Sequence, residues 1–314
     1  MLIKERTIWT PDNSFLLEYH ARIECGEIIV GQELWQELQN LKEDFLNDAY
    51  YYDTHDARLR IDFMERCVRL TKSPYYNKPM ILMLWQKAFI EAVYSFKMSE
   101  TTFDRFQKII LLIARKNTKS ETCSALALSE FIVGNEGSDI VCSSNDDRQA
   151  SIVYDAIDTM RQLIDPDNLD TKRNQRFITN KINGSKIWKI SDRTRCKEGH
   201  NIDFAVDDEI HERKERVISK SIEQSQSLKD NPKFFRITTE GFVVDGDLDE
   251  ELKAARAVIR KEDTGVSAQR LLAWLYTQDS EQEVWQNPAS WVKSNPTLGV
   301  IKKWDYLRQQ IDTT

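Results

Sequence analysis

The sequence lacks any apolar run long enough to cross a bilayer, and its first residues lack the apolar segment of a signal peptide. The longest strongly apolar run is Ile109–Ala114, whereas a membrane-spanning helix needs about 20 apolar residues. The N-terminus begins MLIKERTIW and contains no apolar h-region. We therefore expect a cytoplasmic protein that makes no contact with a membrane.

Cysteine and histidine are too few and too scattered to form a disulfide framework or a zinc site. The chain has 5 cysteines, none of them in C-x-x-C spacing, and 4 separated histidines. An odd number of cysteines without C-x-x-C spacing is typical of buried thiols in a reducing compartment. Neither residue type predicts a structural metal.

Positive charge is also in short supply. The 44 basic residues are outnumbered by 51 acidic ones, which gives a net charge of −7. This balance argues against a simple DNA-binding module, although DNA contact through a local basic patch or a partner remains compatible with it. The 314 residues, of which 40% are hydrophobic, suffice for one large domain or two modest ones.

From residue 106 onward, apolar strands alternate with helices. Ile109–Ile113 is a continuous apolar run, as in a strand buried on both faces. Further strands are predicted at Asp139–Cys142, Ile202–Val206 and Phe234–Ile237, and a hairpin around Asn183-Gly184. Helices are predicted at about Ser120–Val133, Arg148–Ile164 (capped by Asn145 or Asp146) and Arg213–Leu228. The alternation predicts a mainly parallel α/β sheet flanked by helices.

Two other units flank this α/β core, which we place at residues 81–246. Residues 1–80 read as a helical N-terminal segment, with Trp35, Leu38, Leu41 and Phe45 at helical spacing. Within the core, a first helix is predicted at Met83–Phe96. Residues 247–314 read as a smaller linker subdomain with a charged helix at Leu248–Lys261 and an apolar segment at Leu271–Tyr276.

The segment IILLIARKNTKS at 109–120 has the layout of a P-loop, in which a strand leads through a tight polar loop and Lys-Ser into a helix. The backbone of Arg115, Lys116, Asn117 and Thr118 would cradle phosphate, Lys119 would reach the β- and γ-phosphates, and Ser120 would bind Mg²⁺. Both glycines of the usual motif are replaced, by Ile113 and Thr118. Taken alone, the segment is weak evidence for a P-loop, and an ordinary strand–helix turn is the more common structure for such a segment.

A pair of carboxylates follows the predicted strand Ile202–Val206. Asp208 would hold Mg²⁺ through its water shell, and Glu209 would activate the attacking water as a general base. The alternative is an acidic loop end, which is common in so acidic a chain. Because the clusters at Arg115–Ser120, Asp207–Glu209 and Thr238–Glu240 all follow strands, we expect them to converge at one edge of the sheet.

At this point the chain resembles the N-terminal ATPase part of the large terminase subunit of tailed bacteriophages. Seven short motifs match in the same order and cover about residues 84–299. They are Leu84-Trp85-Gln86 (the adenine-side motif), ARKNTKS at 114–120 (Walker A), SSNDDRQA at 143–150, EGHN at 198–201, VDDEIHE at 206–212 (Walker B), TTEG at 238–241 (the coupling motif) and WVKSNPTLG at 291–299.

The resemblance implies a P-loop ATPase fold of the ASCE, RecA-like type, with ATP and Mg²⁺ as cofactors. It implies a motor that drives double-stranded DNA into the prohead from the portal vertex, in the host cytoplasm. The implied partners are DNA, the portal protein, the small terminase subunit and further copies of the chain in a ring. In isolation we expect a monomer.

The resemblance also implies roles for residues around the P-loop. Arg115, or else Lys116, would sense the γ-phosphate as an arginine finger, although either can equally be a solvated loop cation. Gln86 would read the adenine edge, and Trp85 would assist it unless it is a plain core residue. Thr238 and Thr239 of the coupling motif would also contact the nucleotide.

The chain departs from the family pattern in three respects. Thr118 replaces a glycine whose conformation β-branched residues resist, so we expect weaker nucleotide affinity than in a glycine variant. Glu240 places a carboxylate where the family has a small residue, which would repel phosphate. The chain ends soon after WVKSNPTLG, so we expect no nuclease domain and no DNA cleavage.

Two other interpretations stay open at this stage. The first is a degenerate P-loop remnant that does not turn over ATP and serves only as an assembly or scaffold piece. The second is another P-loop class, such as a helicase or a nucleotide kinase. A helicase would normally need a second RecA-like domain, for which the residues after Asp249 leave no room.

Overall fold

The computed structural model describes residues 8–145, 147–191, 200–212, 216–239 and 246–312. The α-helices are α1 (Phe15–Glu24), α2 (Gln32–Asp44), α3 (His55–Cys67), α4 (Leu84–Ser95), α5 (Lys119–Val133), α6 (Asp147–Ile164), α7 (Val217–Ser225), α8 (Asp247–Ile259), α9 (Val266–Gln269), α10 (Glu281–Gln286) and α11 (Trp304–Asp312). Short 3₁₀ helices lie at Ile210–Glu212 and Pro288–Lys293. In these described ranges, no helix combines the length and the apolar character that crossing a membrane requires.

The strands are β1 (Tyr50–Tyr52), β2 (Phe96–Met98), β3 (Lys108–Leu112), β4 (Asp139–Ser144), β5 (Thr171–Arg173), β6 (Ile178–Asn180), β7 (Lys186–Ser191), β8 (Phe204–Asp208), β9 (Lys233–Thr238) and β10 (Leu271–Leu275). Eight of them form one sheet in the order β10-β3-β9-β8-β4-β7-β6-β5. From β10 to β7 all neighbours are parallel, and β6 and β5 add an antiparallel edge. The predicted mainly parallel α/β fold is confirmed.

Strand β3 shows why its sequence is apolar without alternation. Ile109 and Leu111 face a core built with helices α1 to α6, whereas Ile110 and Leu112 face a second core built with α8. A third apolar cluster packs α7 against β4, β7 and β8. Helices therefore cover both faces of the sheet, so the four apolar residues of β3 after Lys108 are all buried. Its functional loops are left at the carboxyl ends of the strands.

Most predicted elements are present with small shifts of their ends. The hairpin around Asn183-Gly184 pairs Ile178 with Ile187 across β6 and β7. Its connection is longer than a two-residue turn, because the Asn180 side chain accepts hydrogen bonds from the backbone N–H groups of the next turn. Helix α7 is shorter than the predicted Arg213–Leu228, and residues 213–215 lie outside the described ranges, as does Asp146, one of the two proposed caps of α6.

The N-terminal 80 residues are not purely helical. Strand β1 pairs antiparallel with β2, with Tyr50 opposite Met98. Local spacing does not reveal this pairing, because the partner strand comes more than 40 residues later in the chain. The helices of this segment share one core with the sheet, through side chains such as Leu38, Phe89 and Trp274.

The sheet also extends beyond residue 246, where the sequence placed the end of the ATPase core. Strand β10 pairs parallel with β3, and Leu271–Leu275 lies wholly within the stretch assigned to the linker subdomain. All five residues of β10 are buried. Its apolar character predicted a buried segment, but only the tertiary pairing makes it the edge strand of the main sheet.

Candidate nucleotide-binding site

The loops that follow β3, β8 and β9 meet at the carboxyl edge of the sheet. The loop after β3 leads into α5, β8 ends at Asp208 and is followed directly by Glu209, and the loop after β9 begins with Thr239. In the sheet, β9 lies between β3 and β8. The parallel register sets the ends of these strands side by side, so their loops form one crevice.

Two P-loop residues have a left-handed backbone conformation, although the loop contains no glycine. Lys116 has φ 67° and Thr118 has φ 65°. Thr118 is the N-cap of α5, and its side chain makes no capping hydrogen bond. The first N–H groups of a helix have no partner within the helix, so this end of α5 presents donors suited to an anion. The expectation that Thr118 must occupy a glycine-like conformation agrees with this geometry.

Lys119 lies at the centre of a buried ion cluster. Its ammonium donates to Asp208 Oδ1 at 2.7 Å and to Glu209 Oε1 at 2.6 Å. Ser120 donates to Asp208 Oδ2 at 2.9 Å. Burial would lower the pKa of Lys119, but the two carboxylates outweigh it and raise that pKa above its usual value. The cluster thus supplies the lysine with carboxylate oxygens at the place where phosphate oxygens would be its partners in a P-loop.

Glu209 is held by contacts from both its backbone and its side chain. It has φ 59°, and its backbone N–H donates to Ile237 O at 3.1 Å. His211 Nδ1 lies 3.0 Å from Glu209 Oε2 and 3.0 Å from Thr238 Oγ1. Burial raises the pKa of Glu209, but hydrogen bonding from His211 and the charge of Lys119 prevail and lower it to about 2. Glu209 is therefore a carboxylate at neutral pH.

The two threonines at the end of β9, Thr238 and Thr239, differ in their hydrogen bonds. Thr238 Oγ1 donates to Thr239 O at 2.8 Å and contacts His211, so it joins the strand end to the acidic loop. Thr239 is buried, and its hydroxyl has no hydrogen-bond partner among the described residues. Such an orphaned hydroxyl is available to a ligand or water. Glu240 and Gly241 of the TTEG motif lie outside the described residues, as do Glu198 and Gly199 of EGHN.

The two predicted adenine-side residues occupy different environments. Gln86 is buried beside the P-loop, where its amide donates to Thr122 Oγ1 at 2.7 Å and to Thr118 Oγ1 at 3.4 Å. Its carbonyl accepts from the Met83 N–H and so caps α4. Trp85 is 3% exposed and packs edge-on against Tyr276. The geometry of Trp85 is that of a core residue, which was the alternative left open.

The remaining P-loop side chains point in two directions. Arg115 and Lys116 are exposed at the tip of the loop. Asn117 is 1% exposed and turns away from the helix end, toward Asn295 and Thr297 of the C-terminal segment. Only the backbone of Asn117 is therefore free to face a phosphate, and its side chain is not part of the predicted nucleotide contacts.

Sequence reasoning missed several residues that contact the site. His211 and Asn295 lie in motifs recognised by their likeness to the family, but no chemical role was drawn from them. Ser144 of the SSNDDRQA motif donates to Asp208 O at 2.9 Å and lies 3.1 Å from Gln149 Oε1. Lys302 gave no sequence signal, because it lies beyond the last motif.

Oxygen donors suited to Mg²⁺ lie side by side at the start of α5. The Ser120 hydroxyl and the Asp208 carboxylate are hard ligands of the kind this ion takes, and two oxygens with several retained waters are a common arrangement. Together with the cation Lys119 and the first N–H groups of α5, which have no partner within the helix, these groups fit a magnesium–phosphate ligand.

The chain shares sequence features and fold with terminases. The family profile described as "Terminase large subunit, ATPase domain" matches residues 84–257. The crystal structure of the HK97 bacteriophage large terminase superposes with a TM-score of 0.69 at 20% identity, over 82% of this chain and 51% of that one. The chain thus spans about half the length of that terminase, and this likeness shows a common fold.

Two further solved structures overlap less of the chain. The large terminase ATPase domain of Thermus phage P74-26 gives a TM-score of 0.38 at 20% identity, covering 44% of this chain and 61% of that one. A large terminase from a thermophilic bacteriophage gives a TM-score of 0.33 at 12% identity, covering 57% of this chain and 52% of that one. A search among curated proteins found no match.

Proposed function

Because this chain belongs to the family of terminase large-subunit ATPase domains, we propose that it hydrolyses ATP with Mg²⁺ to drive double-stranded DNA into a phage prohead. The observation that carries the proposal is the cluster of Lys119, Ser120, Asp208 and Glu209 at the start of α5. It unites a cation for phosphate, oxygens for a divalent metal and a carboxylate for water in one crevice.

In the proposed reaction, each member of the cluster has one task. Lys119 exchanges its carboxylate partners for the β- and γ-phosphate oxygens of ATP. Ser120 and Asp208 hold Mg²⁺, which when bound neutralises charge on the phosphates. The backbone N–H groups of the P-loop and the first turn of α5 bind the remaining phosphate oxygens.

Glu209 acts as the general base in this proposal. Before ATP binds, Lys119 and His211 keep its pKa too low for it to accept a proton readily. When Lys119 turns to the phosphates, Glu209 loses a positive neighbour, and its pKa rises toward a value suited to proton transfer. The exchange of Lys119 thus makes Glu209 a better base only when substrate is present.

Other roles follow from the exposed and orphaned groups. Arg115 is our first choice and Lys116 our second for the cation that stabilises charge on the transferred phosphoryl group, since both are exposed beside the helix end. The free hydroxyl of Thr239 is a candidate contact for the γ-phosphate or the attacking water. Gln86 would read adenine only by giving up its bond to Thr122.

The whole motor requires partners beyond this chain. We propose a homo-oligomeric ring on the portal protein, supplied with DNA by the small terminase subunit in the host cytoplasm. This assignment rests on family membership.

The competing proposal of a non-hydrolysing remnant rested on Thr118 and Glu240. Thr118 has a left-handed φ of 65°, which β-branched residues resist, so the binding experiment must decide whether it weakens or abolishes ATP affinity. Glu240 lies outside the described residues. The remnant hypothesis therefore becomes an outcome of the binding experiment.

The test compares ATP hydrolysis and ATP binding in the full chain and in Glu209→Gln. We expect magnesium-dependent phosphate release from the wild type, and in the variant a loss of release with nucleotide binding retained. Binding is read from the unfolding free energy, which should rise by about 2.7 kcal/mol at 100 times the dissociation constant.

Glu136→Gln is the matched control, because Glu136 is exposed ahead of β4 at the opposite edge of the sheet. It should behave as the wild type does. No stabilisation of the wild type at millimolar Mg-ATP would favour the remnant, and unchanged turnover in Glu209→Gln would remove Glu209 from the base role.

A further inference from the structure

The C-terminal segment around residues 294–302 is built directly against the P-loop. Asn295, Thr297 and Lys302 all hydrogen-bond to residues 115–117 or to one another, and the Ala114 N–H donates to Ser294 O at 3.3 Å. We call Asn295, Thr297 and Lys302 the P-loop clamp. These three residues and Asn117, which they hold, are all buried, with exposed fractions between 0% and 9%.

Both the oxygen and the nitrogen of the Asn117 side-chain amide form hydrogen bonds with clamp residues. Its Oδ1 accepts from the Thr297 hydroxyl at 2.7 Å and from the Thr297 N–H at 3.2 Å. Its Nδ2 donates to Asn295 Oδ1 at 3.0 Å and to Ala114 O at 2.9 Å. The amide therefore ties the loop to the C-terminal segment and also closes the loop on itself.

Lys302 fastens the same loop from its other side. Its ammonium donates to Asn295 Oδ1 at 2.6 Å and to Arg115 O at 3.2 Å. Burial lowers the pKa of Lys302. Within the described part of the chain, the Lys302 ammonium donates to two neutral oxygens, one of them in the P-loop backbone. Its position therefore stabilises the P-loop.

The turn that presents these groups is itself closed. Thr297 O accepts from the N–H groups of Val300, Ile301 and Lys302 at 2.9 to 3.1 Å. Gly299 has φ 87°, which a side chain would resist, and a Cβ there would lie 3.1 Å from Trp304 Nε1. The turn that carries Thr297 and Lys302 is thus closed by its own hydrogen bonds, and the P-loop packs against it.

The P-loop needs such support because it has no glycine. Lys116 and Thr118 both have positive φ, a conformation that side chains disfavour and that persists only where surrounding contacts enforce it. Asn117, the residue between them, is the one that the clamp holds by its side chain. Contacts on the middle residue constrain the peptides on both sides.

We propose that the P-loop clamp replaces the missing glycines, by positioning the loop backbone for phosphate through contacts from the C-terminal segment. The inference deepens the proposed function, since its ligand is the phosphate chain of Mg-ATP. Asn295, Thr297 and Lys302 are positioning residues, because they act through Asn117 and Arg115.

The test is a cycle of two substitutions, Lys302→Met and Thr118→Gly, in the full chain. The dissociation constant of a non-hydrolysable ATP analogue with Mg²⁺ is measured by titration calorimetry. If the P-loop adopts the phosphate-binding conformation in about one molecule in ten once the clamp is lost, Lys302→Met weakens binding about tenfold. Adding Thr118→Gly restores most of that loss, because glycine accepts positive φ without support.

Lys303→Met is the matched control, since it removes the same charge from the neighbouring exposed residue. It should leave affinity unchanged. In the clamp-intact chain, Thr118→Gly should improve binding by much less than in the Lys302→Met background. Equal gains in both backgrounds would show that the clamp and the loop conformation are independent, which overturns the proposal.

A second variant covers the case in which Lys302→Met does not fold. Thr297→Val keeps the shape of the side chain but removes the hydroxyl bonded to Asn117, and it should weaken binding in the same direction by a smaller factor. Undiminished affinity in this variant contradicts the clamp.

Hydrogen exchange separates this inference from the proposed function. Without any nucleotide, the amides of residues 114–118 should exchange faster in Lys302→Met than in Lys303→Met. This readout supports or contradicts the clamp even if the wild type fails to bind ATP, an outcome that would count against the proposed function instead.

Discussion

The substitution Glu209→Gln gives a quantitative test of the ion cluster in the absence of nucleotide. The pKa of Glu209 falls from its ordinary 4.5 to about 2, because His211 and Lys119 outweigh the effect of burial. At about 1.4 kcal/mol per pKa unit, this fall corresponds to about 3 kcal/mol at most. Because the Glu209 side chain is 25% exposed, solvent screening reduces the stabilisation by ionised Glu209 to about 1–2 kcal/mol. Glutamine has the same shape without the charge, so the variant should lose about this much at pH 7.

The pH dependence follows from the direction of the pKa change. A carboxyl with a lowered folded pKa contributes stability above the unfolded value of 4.5, and this contribution is lost as the pH falls toward about 2. The difference between wild type and Glu209→Gln should therefore be full at pH 7 and shrink progressively below pH 4.5.

Urea denaturation of the nucleotide-free chain at several pH values measures this difference, with Glu136→Gln as the charge-matched control. One effect acts in the opposite direction: Asp208 is a like charge next to Glu209 in sequence, and removal of one carboxylate relieves their repulsion and so stabilises the variant. If Glu209→Gln were as stable as the wild type at pH 7, or more stable, Lys119 and His211 would not compensate Glu209 as the geometry indicates.

Two further predictions concern buried charges outside the cluster. Burial raises the pKa of Glu37 to about 7 despite Arg105, so ionisation of Glu37 costs stability as the pH rises from 4.5 through 7. Glu37→Gln should then be more stable than the wild type at pH 8 by about 3 kcal/mol and equal to it at pH 4, as urea midpoints will show, and an unchanged pH profile would contradict this. Arg236 is fully buried against Asp247 and Glu251. Arg236→Met should destabilise the chain by about 3 kcal/mol in the same assay, because it removes the most buried partner of Asp247 and Glu251 and leaves them to the less buried Arg216 and Lys108, and a loss below about 1 kcal/mol would contradict that.

Local sequence was sufficient to predict the central parallel strands and which polar clusters lie together at their ends. The apolar run at 109–113 suits a strand covered on both faces, because in such a strand consecutive residues are all buried. Polar clusters directly after such strands had to lie at the carboxyl edge, since parallel strands all end there. For this reason Lys119, Ser120, Asp208 and Glu209 could be grouped although about 90 positions separate the two pairs.

Tertiary structure decided which residues support that site. Strand β10 joins the sheet, and the P-loop clamp reaches Asn117, through pairings between segments that lie more than 150 residues apart. No local periodicity encodes such distances. The same applies to Trp85, whose packing against Tyr276 depends on where a distant strand ends.

The P-loop shows most clearly what the local sequence determined and what only the tertiary structure decided. Its sequence determined that a strand, a polar loop and Lys119-Ser120 at the start of a helix would follow one another, and that Thr118 would have to occupy a conformation natural to glycine. Whether a loop without glycine can hold that conformation depends on what packs against it. The contacts from Asn295, Thr297 and Lys302 supply this support, and they exist only once the chain has folded back on itself.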